Sequence, residues 1–425
     1  MKKVRTKRSK GSGGFTLVEL LVAMMAGLLV AIAAVSFSKQ STLVFAQEAR
    51  IAAAQMSVLA GFQRLQADVA RAAYMSTTDM RREHLAQRLC APDFDEWDDP
   101  VKDLASVRLR VADDGRIRLR IAGNLGSSEM FPVRTIESLG TAHTVYLQTN
   151  NGPMTRAGFV GGVSGTDEAF QNVFRPGQFI RITDDQGKFE YAMIHAASFD
   201  TAPMITTTKP LPLKGDISME TGPNAKSSVE CGIGGFGIGV MLNPVSVVEY
   251  GVGSLADVPP YNATIYHEDF VVPEADDNRT ELVRQELING DTPTGIPDLV
   301  AEFAVDLSVG LLSTATGGTG AVPRGSLAYY PPGPAAIAAT ATAGASTVLE
   351  PVTGPAAVRA LELRLVVRSR EADRAVGIDN VDTNPLATGG FQFRVPMSDG
   401  PNPKWARART LTATVALMNH RGDAW

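Results

Sequence analysis

Gly13-Gly14-Phe15-Thr16-Leu17-Val18-Glu19-Leu20 joins a basic segment to an apolar one, and the fold follows from how that junction is read. Upstream, six cations (Lys2, Lys3, Arg5, Lys7, Arg8 and Lys10) occupy the first ten residues with no acid among them. Downstream, Phe15 to Phe37 is an apolar run of 23 residues, long enough to cross a hydrocarbon core as a helix. Glu19 is the one acid in that run. The flanking cations orient the helix with its N-terminus in the cytoplasm, which sends everything after it to the periplasmic side. An uncleaved signal anchor explains the length and charge but leaves Glu19 without a partner, and carboxylates at that depth are expensive. A secretory signal peptide cut near Ala31-Ile32-Ala33 leaves the same acid unexplained.

The same eight residues resemble the type III signal of type IV prepilins and pseudopilins. The resemblance implies a 1–14 leader cut by a membrane prepilin peptidase after Gly14, followed by N-methylation of Phe15. Glycine suits such a site because it puts no side chain in the way of the backbone. The resemblance also gives Glu19 a task, pairing with the N-terminal amine of a neighbouring subunit inside the apolar bundle. Two opposite charges brought together there offset a desolvation that would exclude either alone.

Helical character continues beyond the membrane segment (15–37) through a periplasmic part (38–74). Leu43, Ile51, Met56, Leu59, Phe62, Leu65 and Val69 recur at mostly three- and four-residue steps, and Glu48, Arg50, Arg64, Asp68 and Arg71 supply a polar face. A helix from Val18 to Tyr74 would be about 85 Å long. Gly61 is the only glycine in its second part. From 75 to 425 the period changes to two. Val107-Arg108-Leu109-Arg110-Val111 and Ile117-Arg118-Leu119-Arg120-Ile121 alternate around Asp114-Gly115, which predicts a hairpin whose arginine row faces water. Phe179 to Ile182 and Phe189 to Ile194 predict a second hairpin across Asp184-Asp185-Gln186-Gly187. Further strands are expected at 144–147, 245–250, 303–309, 360–367 and 411–418. Helix first and strands afterwards reads as α+β, a long N-terminal helix packed on an antiparallel β-rich head. Residues 313–355, rich in Ala, Thr, Gly and Pro, read as a low-complexity surface insertion.

Several spaced segments resemble the PilW-like minor pilin family. Leu65-Gln66-Ala67-Asp68-Val69-Ala70-Arg71-Ala72-Ala73-Tyr74 is similar to its end-of-helix segment, with Ala73 where that family usually has glycine. Pro176-Gly177-Gln178-Phe179-Ile180, Val247-Val248-Glu249-Tyr250, Leu282-Val283-Arg284-Gln285-Glu286, Leu299-Val300-Ala301-Glu302-Phe303 and the strand from Val358 to Ser369 follow in order. Val415-Ala416-Leu417-Met418-Asn419 is similar to a closing strand. The resemblance implies a minor pilin of a type IV pilus, with other minor pilins, the major pilin, the prepilin peptidase and the inner membrane as partners. A J-type pseudopilin of a type II secretion system is the alternative, although that family is normally much shorter.

Other chemistries find little support. Removing the six leader cations leaves 34 basic against 45 acidic residues, a net charge of −11, which is not the footprint of a nucleic-acid binder. The two cysteines, Cys90 and Cys231, exclude paired-cysteine metal sites and suit a disulfide in an exported body. Asp93, Asp95, Asp98 and Asp99 form an acidic cluster open to calcium, but the cluster lacks the glycine of an EF-hand loop, so a solvated loop is the expectation. Gly232-Ile233-Gly234-Gly235-Phe236-Gly237 fits GxGxxG without the flanking strand and helix that a dinucleotide requires. The histidines His84, His143, His195, His267 and His420 have no metal spacing, and Ser164 lies in an incomplete nucleophile elbow. No cofactor and no catalysis are expected, with an anchored periplasmic hydrolase as the reading from another class.

Overall fold

The computed structural model describes residues 16–80, 100–139, 142–161, 163, 165–200, 202–214, 232–234, 239–266, 279–314, 327–340, 355–369, 392–395 and 404–421. The chain divides into two compact units, Met1–Met56 and Ser57–Trp425. In the first, the described residues are one continuous helix, the start of α1 (Leu17–Ala70). Its stretch Leu17–Thr42, 26 residues, is long and apolar enough to cross a membrane, with none of its most apolar part buried. At 1.5 Å per residue that stretch measures about 39 Å, more than the roughly 30 Å of a hydrocarbon core.

The second unit holds the last turns of α1 and a head made of antiparallel sheets. The hairpin read around Asp114-Gly115 is present as β1 (Val107–Val111) and β2 (Ile117–Gly123), paired from Val107↔Ile121 to Val111↔Ile117. After β2 the chain builds β3 (Phe131–Leu139), β4 (Ala142–Leu147), two short helices α2 (Gly152–Arg156) and α3 (Thr166–Val173), β5 (Phe179–Thr183), β6 (Phe189–Phe199) and β7 (Pro203–Thr207). It then returns through the 13-residue strand β8 (Met241–Gly253). The first residues of β8 pair with β3 on one side and β5 on the other. Because β3-β4-β7-β6-β5 are also joined in that order, these six strands close into a barrel.

The barrel has an apolar core of its own, filled by Val133, Val145, Ile180, Ile182, Ile194, Ile205 and their neighbours. Phe131, Phe159, Phe170, Phe174 and Phe199 add a ring cluster with centroids 4.8 to 5.8 Å apart. Such offset and edge-on contacts each contribute about 0.5–1.5 kcal/mol beyond the area they bury.

Beyond Val245, β8 leaves the barrel and becomes the middle of an open sheet. There it pairs with β2 (Leu119↔Tyr250) and with β9 (Glu281–Ile288), which continues to β10 (Thr292–Ala301). A second sheet has the order β12-β11-β13-β15-β14, from β11 (Ala304–Thr314), β12 (Leu327–Tyr330), β13 (Val358–Arg368), β14 (Gln392–Val395) and β15 (Lys404–Ala416). Val58, Phe62, Leu65 and Val69 of α1 share one buried cluster with Leu119, Ile121 and Tyr250 of the open sheet and with Val309, Leu311, Leu363 and Leu365 of the second. Burying the four helix side chains contributes roughly 6–12 kcal/mol in transfer terms, an upper figure because unfolded chains already hide some surface.

Gly61 sits where the end of β10 crosses the helix, and a Cβ there would lie 2.0 Å from the Val300 carbonyl oxygen. This is backbone against backbone, so only a residue without a side chain fits.

Two expectations need revision. The stretch 313–355, read as a surface insertion, supplies β12 and the helix α4 (Pro334–Thr340). Ala336 and Thr340 of α4 are buried, and the Thr340 hydroxyl accepts a hydrogen bond from the Leu109 amide of β1 at 2.9 Å. An alanine-rich helix that covers another strand needs no polar face, which is why it lacks visible periodicity. The remaining residues of that stretch, 315–326 and 341–354, lie outside those described.

The arginine row is the second revision: Arg110 stays half exposed as expected, but Arg108, Arg118 and Arg120 are largely covered and all four find partners within the head. Arg110 and Arg120 both reach the Glu249 carboxylate of β8 at 3.1 Å, Arg118 reaches Asp114 at 3.2 Å, and Arg108 donates to the Asp103 carbonyl at 2.8 Å. Arg108 faces Arg120 and Arg110 faces Arg118 in the register, a like-charge opposition that these acids offset.

Candidate functional site

Thr16 and Glu19 begin α1 with a reciprocal pair of hydrogen bonds. Glu19 Oε2 accepts from the Thr16 amide and from the Thr16 hydroxyl, both at 3.0 Å, while the Glu19 amide donates to Thr16 Oγ1 at 3.3 Å. With Thr16 before the first helical residue, this is a capping box, which satisfies amides that the first turn leaves without carbonyl partners. The sequence carries the signal for it, Thr-x-x-Glu at the start of an apolar run, which the charge of Glu19 overshadows. Oε2 takes both bonds, so Oε1 retains acceptor sites for another donor. Among the described residues no cation pairs with Glu19. Gly14 and Phe15 lie outside the described residues.

The other end of the helix is tied down by polar contacts that the amphipathic pattern assigned to solvent. Asp68 accepts from the Tyr250 hydroxyl at 2.7 Å and from Arg284 Nε at 3.0 Å. Arg64 reaches Asp298 at 2.6 Å, and Arg284 extends toward Glu286 and Asp298. Glu286 continues the chain of charges to Arg175, beside the barrel. Burial, together with the charge of Asp68, pushes the Tyr250 phenol far above its usual range. Burial acts to lower Arg284, but its hydrogen bond to Asp68 and the surrounding acids outweigh it and hold the guanidinium above its ordinary value.

After Ala70 the chain turns sharply. Ala73 sits at φ 59° and its amide donates to the Ala122 carbonyl at 3.0 Å. The Arg71 guanidinium closes the turn by donating to the Leu125 and Ser127 carbonyls at 2.9 and 3.0 Å. The left-handed conformation at Ala73 is one that glycine adopts freely and alanine resists. The exposed last carbonyls of α1 are capped from the far end of the chain, where the Asn419 amide donates to the Ala70 and Ala72 oxygens at 3.4 and 3.0 Å. Its neighbour His420 is buried, with Nε2 2.8 Å from the Ser106 hydroxyl.

The remaining candidates divide into those the structure describes and those it does not. Ile233, inside the GxGxxG run, is buried in the barrel and bridges Leu213. Only six residues separate Gly234 from the start of β8, which leaves no room for the helix a dinucleotide fold needs at that point. His143 is buried, with Nδ1 accepting from the Leu211 amide at 2.8 Å. Among the described residues no group of three or more His, Cys, Asp or Glu side chains is arranged to hold a metal. Cys90, Cys231, Asp93, Asp95, Asp98, Asp99, His84, His267 and Ser164 lie outside the described residues.

A family model described as the prokaryotic N-terminal methylation motif matches residues 9–35, the span from the basic leader into the apolar helix. The N-terminus is that of a type IV pilin-like prepilin. The match covers the junction at Gly14-Phe15, Glu19 and its capping partner Thr16. The prepilin motif, with the one helix among the described residues that is long and apolar enough to cross a membrane, is consistent with an anchor in the inner membrane. No curated protein and no solved structure matches the chain.

Proposed function

We propose that this prepilin is a PilW-like minor pilin, acting in the initiation, assembly or tip structure of a type IV pilus through contacts with other pilin subunits. The methylation motif at residues 9–35 carries the reading, since it ties the apolar helix to the pilin processing route. On this reading the peptidase cuts after Gly14, Phe15 becomes the methylated N-terminus, and the head lies in the periplasm until the subunit enters a filament. Glu19 then receives the N-terminal amine of an adjacent subunit, and the free acceptor sites of its carboxylate suit that contact. The protein is not an enzyme and uses no cofactor. His143 and His420 serve the fold, the first accepting from the Leu211 amide and the second lying against the Ser106 hydroxyl, which suits that reading.

A deletion strain scored in parallel for surface pili and for type II secretion tests the assignment. Loss of pili with normal secretion is expected, and the reverse outcome assigns the protein to a secretion pseudopilus. Glu19→Ala isolates the assembly step. The variant subunit should be made, cut and retained in the membrane, yet give few filaments and no co-purifying pilins. Wild-type filament number in that strain would remove the pairing role.

A further inference from the structure

The head holds two apolar cores that are drawn from separate parts of the chain. The barrel core takes all of its residues from the span Phe131 to Leu242. The core under α1, shared by the two sheets, takes none between Leu125 and Val248. A third, smaller cluster is the seam where they meet, with Met80, Val101 and Leu104 on one side and Phe179, Phe189 and Tyr191 on the other. The Arg175–Glu286 ion pair lies across the same seam, as does the Asn289 amide, which donates to the Gly177 carbonyl at 2.8 Å.

The barrel span also begins and ends at one place on the open sheet. Gly123, the last residue of β2, is paired with Ser246 of β8, so the chain leaves that sheet and rejoins it at neighbouring positions. A segment on the order of a hundred residues, with its own core and its ends together, has the usual form of an inserted domain. The last turns of α1 are held from outside that segment. Asp68 is bound by Tyr250 and Arg284, Arg64 by Asp298, and the Ala70 and Ala72 carbonyls by Asn419. Arg71 donates to the carbonyls of Leu125 and Ser127, which precede β3. Two contacts reach from the barrel toward this region, Asn243 to the Met75 carbonyl at 2.9 Å and Tyr191 to Ser76 at 3.4 Å, and both fall after the helix has ended.

We propose that the barrel is a domain inserted into the head between β2 and β8, and that filament assembly uses the stem and the two sheets without it. The second clause rests on the pilin reading given above. In the intact chain the seam and the shared strand β8 couple the stability of the two parts. Removing the insertion nevertheless leaves the core under α1 with every one of its described members.

The test replaces Ser128 to Val245 by a short glycine-serine linker in the full chain, with Cys90→Ser so that no lone thiol remains. The linker closes a gap between paired ends, and Arg71 keeps both of its acceptors. This chain and the full chain are introduced separately into a strain that lacks the gene. The barrel-less chain should be cut, held in the membrane, resist trypsin in its remaining head, and restore surface pili to the number given by the full chain. A barrel-less chain that is present and trypsin-resistant but gives fewer pili overturns the assembly clause. Should that chain be degraded, the uncovered seam is made polar by Val101→Thr and Leu287→Thr, and the measurement is repeated. Degradation of this second chain as well overturns the inserted domain. A strain that lacks the gene yet keeps its pili shows instead that the pilin reading has failed. Membrane level and trypsin resistance of the barrel-less chain then still decide whether the barrel is an insertion.

Discussion

Replacing Gly61 by alanine sets two effects of opposite sign against each other, and the structure says which wins. Alanine is the better helix former by about 1 kcal/mol, so a solvent-facing Gly61 would stabilise the protein when replaced. Instead the new methyl would stand 2.0 Å from the Val300 oxygen and 2.9 Å from its carbonyl carbon. Relief requires more than an ångström of separation between α1 and the end of β10, and both obstructing groups are backbone. Overpacking of this kind costs about 1–3 kcal/mol and occasionally more. With the clash at the upper end of that range, the net expectation is a loss of about 2 kcal/mol. Exposed Ala60, one position earlier, is the control, and Ala60→Gly should lose about 1 kcal/mol through propensity alone. Denaturant titration of the full chain in detergent, followed by near-ultraviolet circular dichroism of the buried aromatic cluster, reads the head without interference from the stem. A Gly61→Ala protein equal to or more stable than wild type would refute the close approach.

Four further outcomes are expected. Asp68→Ala strands the Tyr250 hydroxyl and the Arg284 guanidinium in a largely buried site, and should lower head stability by about 2–4 kcal/mol in the same titration. Ala73→Gly relieves a left-handed alanine at φ 59° and should stabilise the head by up to about 1 kcal/mol, whereas Ala73→Val should destabilise it. Burial raises the Asp306 carboxyl above 3.8, despite its bond to Ser308 and the nearby Arg364 and Arg116. Because the folded state then holds that proton more tightly than the unfolded chain, its contribution is full below the ordinary value and fades as pH climbs through the raised one. Asp306→Asn should therefore gain on wild type as denaturation is repeated from pH 4 toward pH 7, and a constant difference would show that the group is not shifted. Intact mass of the membrane-extracted protein should correspond to a chain starting at N-methylated Phe15, and a chain retaining Met1 in cells with active prepilin peptidase would contradict the cut after Gly14.

What the sequence revealed depended on how far apart the interacting residues lie. Both hairpins were legible because turn and strands are adjacent, as Asp114-Gly115 and Asp184 to Gly187 show. The stem was legible because a lone acid near the start of an apolar run that follows six cations has few explanations. Barrel closure was not legible, since it rests on β8 meeting both β3 and β5, pairings from 58 to 111 residues apart that no local period encodes. Distance also hid the partners of the polar groups. Glu249 neutralises Arg120 from 129 residues away, and Asp68 meets Arg284 from 216 residues away. Alternation alone therefore assigned those charges to water. Gly61 stands out in the sequence as an exception in the helix, but its reason is the crossing of β10, which no sequence pattern discloses.

The bond from Asn419 to Ala70 at the end of α1 spans 349 residues, almost the whole head. Synthesis at about 5–20 residues per second places the helix end roughly 20–70 s ahead of the residue that caps it. During that interval Phe62, Leu65 and Val69 have been made, while β13 and β15, which complete their cluster, have not yet emerged. A subunit is thus tethered by its stem well before its head can close, and the exposed apolar stripe is the surface that a holding chaperone would have to shield. Termination between Val69 and Asn419 leaves a half-made head joined to the apolar stem, with that stripe uncovered.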